Sequence, residues 1–404
     1  MRSFRLRHAA LAAALPVLLA GACPVLAQAP AAKPAAAQPA AAAAAFAPVA
    51  QHYAVLVHAN YEDVLAAART LQASVAAFVK TPSVETLGAA RKDWLAAREF
   101  YGQTEAFRFY GGPIDDDKGP EGRINAWPMD ESFVDGIQGK ANSGLVNNRK
   151  FAISKKSLSG QNERGGEENI ATGWHAIEFL LWGQDLSDTG PGNRNFEDFV
   201  DGKAPNADRR RQYLTVVTEL LVDDLGFLVK AWAPGAKNNF RARFEKGGRE
   251  SVRRMLVGLG SLSRGELAGE RLEVALNSQD QEDEHSCFSD NTHRDAVTNA
   301  RGIQNVWLGE YKRADGSTVK GASLRELVAG KDAALAERTT KQIAASVAAA
   351  EGIKAPFDQE IKGAKDAPGR QRIQKTIDSL TSQAKDLVAA AAAVGITQLT
   401  LVQP

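Results

Sequence analysis

The run GWHAIEFLLWG, residues 173–183, constrains this chain more than any other feature. It sets an imidazole, His175, and a carboxylate, Glu178, three positions apart in an otherwise apolar stretch. On a helix, positions i and i+3 share a face, and Phe179 and Trp182 fall on that face too. The two polar groups therefore project with aromatic rings toward an interior. A buried carboxylate is costly unless a cation or hydrogen-bond donors compensate it. A fold that accepts this helix must bury it and supply that compensation, and a bound metal ion is a natural way to do so.

Elsewhere the chain repeats the three-and-four spacing of helices. Leu56, Val57, Val64, Leu71, Val75, Phe78 and Val79 keep it until Pro82, and a second helix is predicted to enter at Ser83. Further helices are predicted over about 209–232, 240–260, 323–350 and 369–394. In the last of these, Ile373, Ile377, Leu380, Ala384, Leu387 and Ala391 form a bundle-type seam. No convincing period-two alternation and no Asn-Gly hairpin signal is present. The fold class is all-α, arranged as two helical-bundle domains, residues 51–205 and 206–404. Between them in character stands the passage 111–166, rich in Gly and Pro. Its Ile124, Trp127, Met129 and Phe133 mark it as an ordered loop packed over helices.

At the N-terminus, Arg2, Arg5 and Arg7 precede an apolar run from Ala9 to Leu19, and small residues offer cleavage after Ala27 or Ala29. This reads as an export signal over 1–29, too short to span a bilayer. Residues 30–50, almost entirely Ala, Pro, Gln and Lys, read as a disordered tether. The expected location is periplasmic. Lipid anchoring through Cys23 is the less favoured alternative, because the usual Leu three residues upstream is replaced by Ala20. Without it, Cys287 is the sole cysteine of the mature chain and no internal disulfide can form. Lys plus Arg number 49 against 48 Asp plus Glu. That balance removes any electrostatic case for nucleic acid as a partner.

Two further clusters carry candidate chemistry. Trp94, Arg98, Tyr101 and Glu105 share one helical face. Either Arg98 and Glu105 are a buried pair that fixes helix register, or Glu105 adds a third polar group to the His175 site. The segment 277–295, NSQDQEDEHSCFSDNTHRD, holds His285 and His293 among six acidic residues. Glu282 and His285 have the i, i+3 spacing of di-iron bundles, but that architecture needs two such pairs. The Gly and terminal Glu of an EF-hand are missing. A solvated acidic loop is the plain alternative, and the apolar Cys287 and Phe288 argue against it. HExxH and HxxEH zinc-peptidase motifs are absent, as are a GxSxG elbow, a phosphate loop, a dinucleotide fingerprint and a CxxCH haem site.

Taken together, GxHxxE at 173–178, EAFRFYGGPIDD near Glu105, INAWPMDESFVD and EDEHSCFSDNTHRDAVTN resemble the imelysin family, most closely its iron-regulated protein A branch. The resemblance runs from about residue 50 to 395. It implies two domains related to four-helix bundles, with duplication as one origin, and a site around the GxHxxE helix where they meet. It also implies a link to bacterial iron acquisition. The resulting expectation is an exported metal-binding protein, with iron as the expected ion and zinc as an option. His175 and Glu178 would be ligands, Glu105 a further oxygen donor, and His285, Asp290 and His293 candidates from the second half. The expected partners are a metal ion or iron chelate and a membrane iron-uptake component. The alternative is a metallopeptidase with Glu178 as general base. Such an enzyme needs three protein ligands and an open position, which the sequence does not secure, so a non-enzymatic role is the preferred expectation.

Overall fold

Two long helices open the fold. α1 spans Ala40–Lys80 and buries Tyr53, Leu56, Val57, Val64, Leu71, Val75 and Phe78. α2 spans Val84–Thr104 and begins at Ser83, whose hydroxyl accepts from the Thr86 N–H while the Thr86 hydroxyl accepts from the Ser83 N–H. This reciprocal cap is the entry expected from sequence, and it turns α2 back along α1. The computed structural model describes residues 40–402. The export signal, Cys23 and the first part of the tether lie outside the described residues. The remainder of the tether departs from expectation: residues 40–50 continue α1, and Phe46, Val49 and Ala50 are buried. Alanine is the strongest helix former, and two apolar anchors suffice to dock such a segment.

Two more helices complete the first bundle. α3 is Gly173–Trp182 and α4 is Ala207–Trp232. α4 sets Tyr213, Leu214, Val217, Leu221, Leu225 and Leu228 against α1 and α3. The boundary expected at 205/206 therefore cuts through this bundle, because the long loop before α4 leads back to α1 instead of starting a new core. The passage before α3 is ordered by short helical turns, Glu121–Ile124, Glu131–Val134, Gly144–Asn147 and Lys155–Ser159. Each turn buries apolar anchors: Ile124, Val134, Leu145 with Val146, and Leu158.

The second bundle starts with α5, Arg249–Ser261. It runs without a break into a π-helical stretch, Leu262–Glu273, and a last α-helical turn, Val274–Ser278. α6 is Thr292–Leu308, α7 is Ala333–Glu351 and α8 is Pro368–Ala393. α8 packs on α5, the π-helical stretch and α7 through Ile373, Ile377, Leu380, Ala384, Leu387 and Ala391, the seam expected from sequence. Each large aliphatic side chain buried there contributes roughly 1.5–3 kcal/mol of transfer free energy. A short antiparallel hairpin, β1 Glu310–Lys312 and β2 Thr318–Lys320, was not foreseen. Its strands are too short to show alternation, and its Asp315-Gly316 turn is the only local cue.

The bundles share one compact unit that takes in all the described residues. α2 packs on α6 where both offer glycine: a Cβ on Gly102 would meet Thr298 Oγ1 at 2.0 Å, and one on Gly302 would meet the Gln103 carbonyl at 2.3 Å. Backbone thus lies close to backbone at this crossing. No helix among the described residues is long and apolar enough to cross a membrane.

Candidate metal centre

α3 is fixed at its first residue. Gly173 has φ +85°, and a Cβ there would meet the Ile124 carbonyl at 2.4 Å, so only glycine fits both the conformation and the space. The Trp174 carbonyl accepts from the Trp94 indole at 3.1 Å, which ties α3 to α2. The helix is buried over its whole length. His175 and Glu178 accordingly lie inside the molecule, and His175 Nδ1 is 2.9 Å from Glu178 Oε2.

The other carboxylate oxygen is also occupied. Glu178 Oε1 accepts from the Ser289 backbone N–H at 3.0 Å and from its hydroxyl at 2.6 Å. Burial pushes the Glu178 carboxyl up to about 8, against the Ser289 hydrogen bonds and the Arg98 charge. Burial, with Arg98 adding to it, drives the His175 imidazole down to about 3. Near neutral pH the carboxyl therefore keeps its proton, the imidazole is neutral and the pair carries no net charge.

A second imidazole meets the first. The His285 ring lies edge-on to His175 with centroids 4.8 Å apart, and it too is buried. Its Nδ1 donates to Asp295 Oδ2 at 2.7 Å. Asp295 also accepts from the Ser286 hydroxyl at 2.5 Å and from Arg98 at 2.9 Å. Burial alone would raise the Asp295 carboxyl; Arg98 and His285 outweigh it and hold it far below the usual carboxylate range. Burial lowers His285 to about 3, so its ring is neutral. What remains is the Nε2 atom of each ring, buried and without a hydrogen-bond partner. A histidine held by a carboxylate at one nitrogen and free at the other is the arrangement found at metal sites, where the carboxylate orients the ligand. The residues present thus fit a metal ion through two imidazole nitrogens, with Glu178 and Asp295 as positioning groups.

Arg98 is central to that support. It is buried among Trp94, Tyr101 and Trp174, with its guanidinium 5.3–5.9 Å from their ring centroids. It donates to Asn125 Oδ1 at 2.7 Å and to Asp295. Arg98 does not pair with Glu105, so the helix face predicted from sequence is real but its two charged members have different partners. Glu105 Oε2 accepts from Arg108 at 2.6 Å and from Arg271 at 2.7 Å. Burial raises the Glu105 carboxyl, yet the two guanidinium groups prevail and bring it down to about 2. As an oxygen donor it is already committed. Beyond it opens a cavity of about 470 Å³, lined by Arg108, Glu121, Trp127, Glu266, Arg271 and, at its inner wall, His285.

The remaining candidates lie elsewhere. His293 is half-buried and its Nδ1 contacts the Asp290 carbonyl at 3.0 Å. Asp290 groups with Asp185 and Asp358 and not with the two imidazoles. Glu282 sits on a 3-10 turn, Gln281–Asp283, beside Glu131, and shares no helix with His285. Residues that sequence reasoning did not single out are Asp295, Ser286 and Ser289, although all three lie in the segment 277–295. The spacing of Asp295 from His285 across a helix start gave no periodic signal.

The imelysin family model (Peptidase_M75) matches residues 57–387. Iron-regulated protein A of Synechococcus elongatus is 25% identical over 302 residues, covering 75% of this chain and 74% of that protein. Two solved structures share the fold. A protein described as an iron-regulated protein A precursor from Parabacteroides distasonis superposes with a TM-score of 0.67 at 18% identity, covering 89% of this chain and 96% of its own. An imelysin-like protein from Psychrobacter arcticum gives 0.61 at 14% identity, covering 86% and 96%.

Proposed function

The chain belongs to the imelysin family, and on that premise we propose that it is an exported metal-binding protein serving iron acquisition or its regulation. The observation that carries this reading is the pair of buried imidazoles with unpartnered Nε2 atoms, each braced by a carboxylate. A buried polar atom left without a partner costs about 1–3 kcal/mol. Two such atoms, on rings whose centroids are 4.8 Å apart, are explained if a cation takes both. Imidazole ligands suit iron and zinc, and the name of the Synechococcus relative favours iron. The adjoining cavity sets Arg108 and Arg271 among Glu121, Glu163, Glu167, Glu266 and Glu270, with both arginines already ion-paired to glutamates, so its net acidic lining favours a free metal ion over an anionic chelate as cargo. The signal read in residues 1–29 supports a periplasmic location, and a membrane iron-uptake component is the proposed recipient. A peptidase role is the weaker reading, because both Glu178 oxygens are engaged and none is free to act as general base.

The test is elemental analysis of protein purified without chelator, next to His175→Ala and His285→Ala. The expected result is stoichiometric iron or zinc in the parent and its loss in both variants, with helical circular dichroism retained. Equal transition-metal content in all three proteins would overturn the assignment.

A further inference from the structure

A second cluster lies beside the imidazole pair and is built only from carboxylates. Asp185 comes from the loop after α3, Glu284 and Asp290 from the loop before α6, and Asp358 from the short helix Phe357–Ile361. All four are buried, Glu284 fully and Asp358 at 1% exposure. Yet Asp185 Oδ2 and both carboxylate oxygens of Glu284, Asp290 and Asp358 have no hydrogen-bond donor. One oxygen each from Asp185, Asp290 and Asp358 lies within 4.8 Å of the others. Oxygens bound at ~2.4 Å from a central Ca²⁺ can be no further apart than about 4.8 Å, so this is the span of a coordination sphere.

We propose that Asp185, Asp290 and Asp358, with the Glu284 carboxylate against Asp358 adding its charge, bind a hard divalent cation, Ca²⁺ by their chemistry, which staples three separate segments together. The donor set is all oxygen, with no imidazole or thiolate, and that favours Ca²⁺ over iron or zinc. Ca²⁺ accepts six to eight oxygens in a flexible geometry, and backbone carbonyls or water complete such a sphere. No Lys or Arg is ion-paired with any of the four among the described residues; Lys362 favours the Asp358 charge only at longer range. Burial and mutual repulsion raise Asp185 to about 6 and Asp290 to about 8, the behaviour of acids that lack a countercharge. The alternative is a set of neutral acids sharing protons, Asp185 with Asp290 and Glu284 with Asp358.

The cation would also serve the neighbouring centre. Glu284 precedes His285, and Asp290 follows Ser289, the residue that holds Glu178. Fixing both ends of this loop fixes the imidazole and the hydroxyl it contributes. The site stands on its own geometry and does not depend on the reading of His175 and His285 as ligands.

Chelator-stripped full chain should be titrated with CaCl₂ by calorimetry and by thermal melting, beside Glu284→Gln, Asp358→Asn and, as a control, the exposed Glu337→Gln. One Ca²⁺ per chain is expected, with a melting temperature that rises with Ca²⁺ and returns with EGTA. Glu284→Gln and Asp358→Asn should bind roughly tenfold or more weakly, since affinity at such sites follows ligand charge count, and Glu337→Gln should match the parent. Melting of the parent that ignores millimolar Ca²⁺ would overturn the proposal in favour of shared protons, whether or not the variants fold. Equal binding of Ca²⁺ by the parent and both site variants would overturn the residue assignment, and binding of Mg²⁺ as tight as Ca²⁺ would overturn the choice of ion.

Discussion

At single residues, the chemistry turns on which atom of each imidazole is left free. Glu178 keeps its proton up to about pH 8 while His175 stays neutral, so a cation arriving at Nε2 must expel one proton from the pair. Metal affinity should therefore fall about tenfold per pH unit below about pH 8, as measured by competition titration between pH 6 and 8. A slope of zero would mean that the pair does not take part. Asp295→Asn should weaken metal binding by roughly 10–100-fold, the usual effect of removing the carboxylate behind a ligand histidine. Much of this centre was legible in the sequence: His175 and Glu178 stand out because an apolar helix has no other use for them, and His285 was among the candidates. The role of Glu178 was not legible. Whether a carboxylate binds an ion or braces a ring depends on Ser289, which lies 111 positions away in the chain.

At the level of elements, the π-helical stretch Leu262–Glu273 has a specific effect. Its wider turn brings Glu266 and Arg271, five positions apart, into contact at 2.8 Å, a spacing that an α-helix would splay around its axis. From there Arg271 reaches Glu105 and Asn299, the latter at 2.6 Å. Arg271→Met should destabilise the protein by about 3–5 kcal/mol, the cost of leaving a buried carboxylate without its partner, and chemical denaturation would measure it. Sequence reading ended this helix near Gly260, because the glycines at 258, 260, 265 and 269 resemble a helix terminus. The first two are there for contact instead: a Cβ on Gly258 would meet the Arg108 carbonyl at 2.8 Å, and one on Gly260 the Leu401 side chain at 2.5 Å. The α8 seam was legible for the opposite reason, since its periodicity is local and its packing is ordinary. Gly173→Ala tests another element boundary. With φ +85° and the Ile124 carbonyl in the way, it should cost more than about 1 kcal/mol and lower the melting temperature.

Over the whole molecule, buried charge is concentrated in arginine–carboxylate networks that join distant segments. Asp135 accepts from Arg210 at 2.6 Å and from Arg194 at 3.1 Å, linking the ordered loop to α4. Burial raises its pKa, but Arg194 and Arg210 overcome that and leave it below the usual range, as Arg108 and Arg271 leave Glu105 at about 2. Groups depressed in this way stabilise the fold above the unfolded carboxylate range near pH 4. Their contribution is lost as pH falls from there toward the folded values. The gap in denaturant midpoint between the parent and Asp135→Asn should accordingly hold from pH 7 to 5 and close between about pH 4 and 2. Asp135→Asn should lose about 3–5 kcal/mol already at pH 7. None of these partners could be read from the chain, because each joins residues from separate segments whose meeting is decided only by the packed bundles.

The glycine crossing of α2 and α6 decides how the interior can be reached. With Gly102 against Thr298 and Gly302 against the Gln103 backbone, the two halves are zipped tightly at their seam. His285 meets the outside through the vestibule that Trp127 and Arg108 help to line, a doorway beside the seam and not across it.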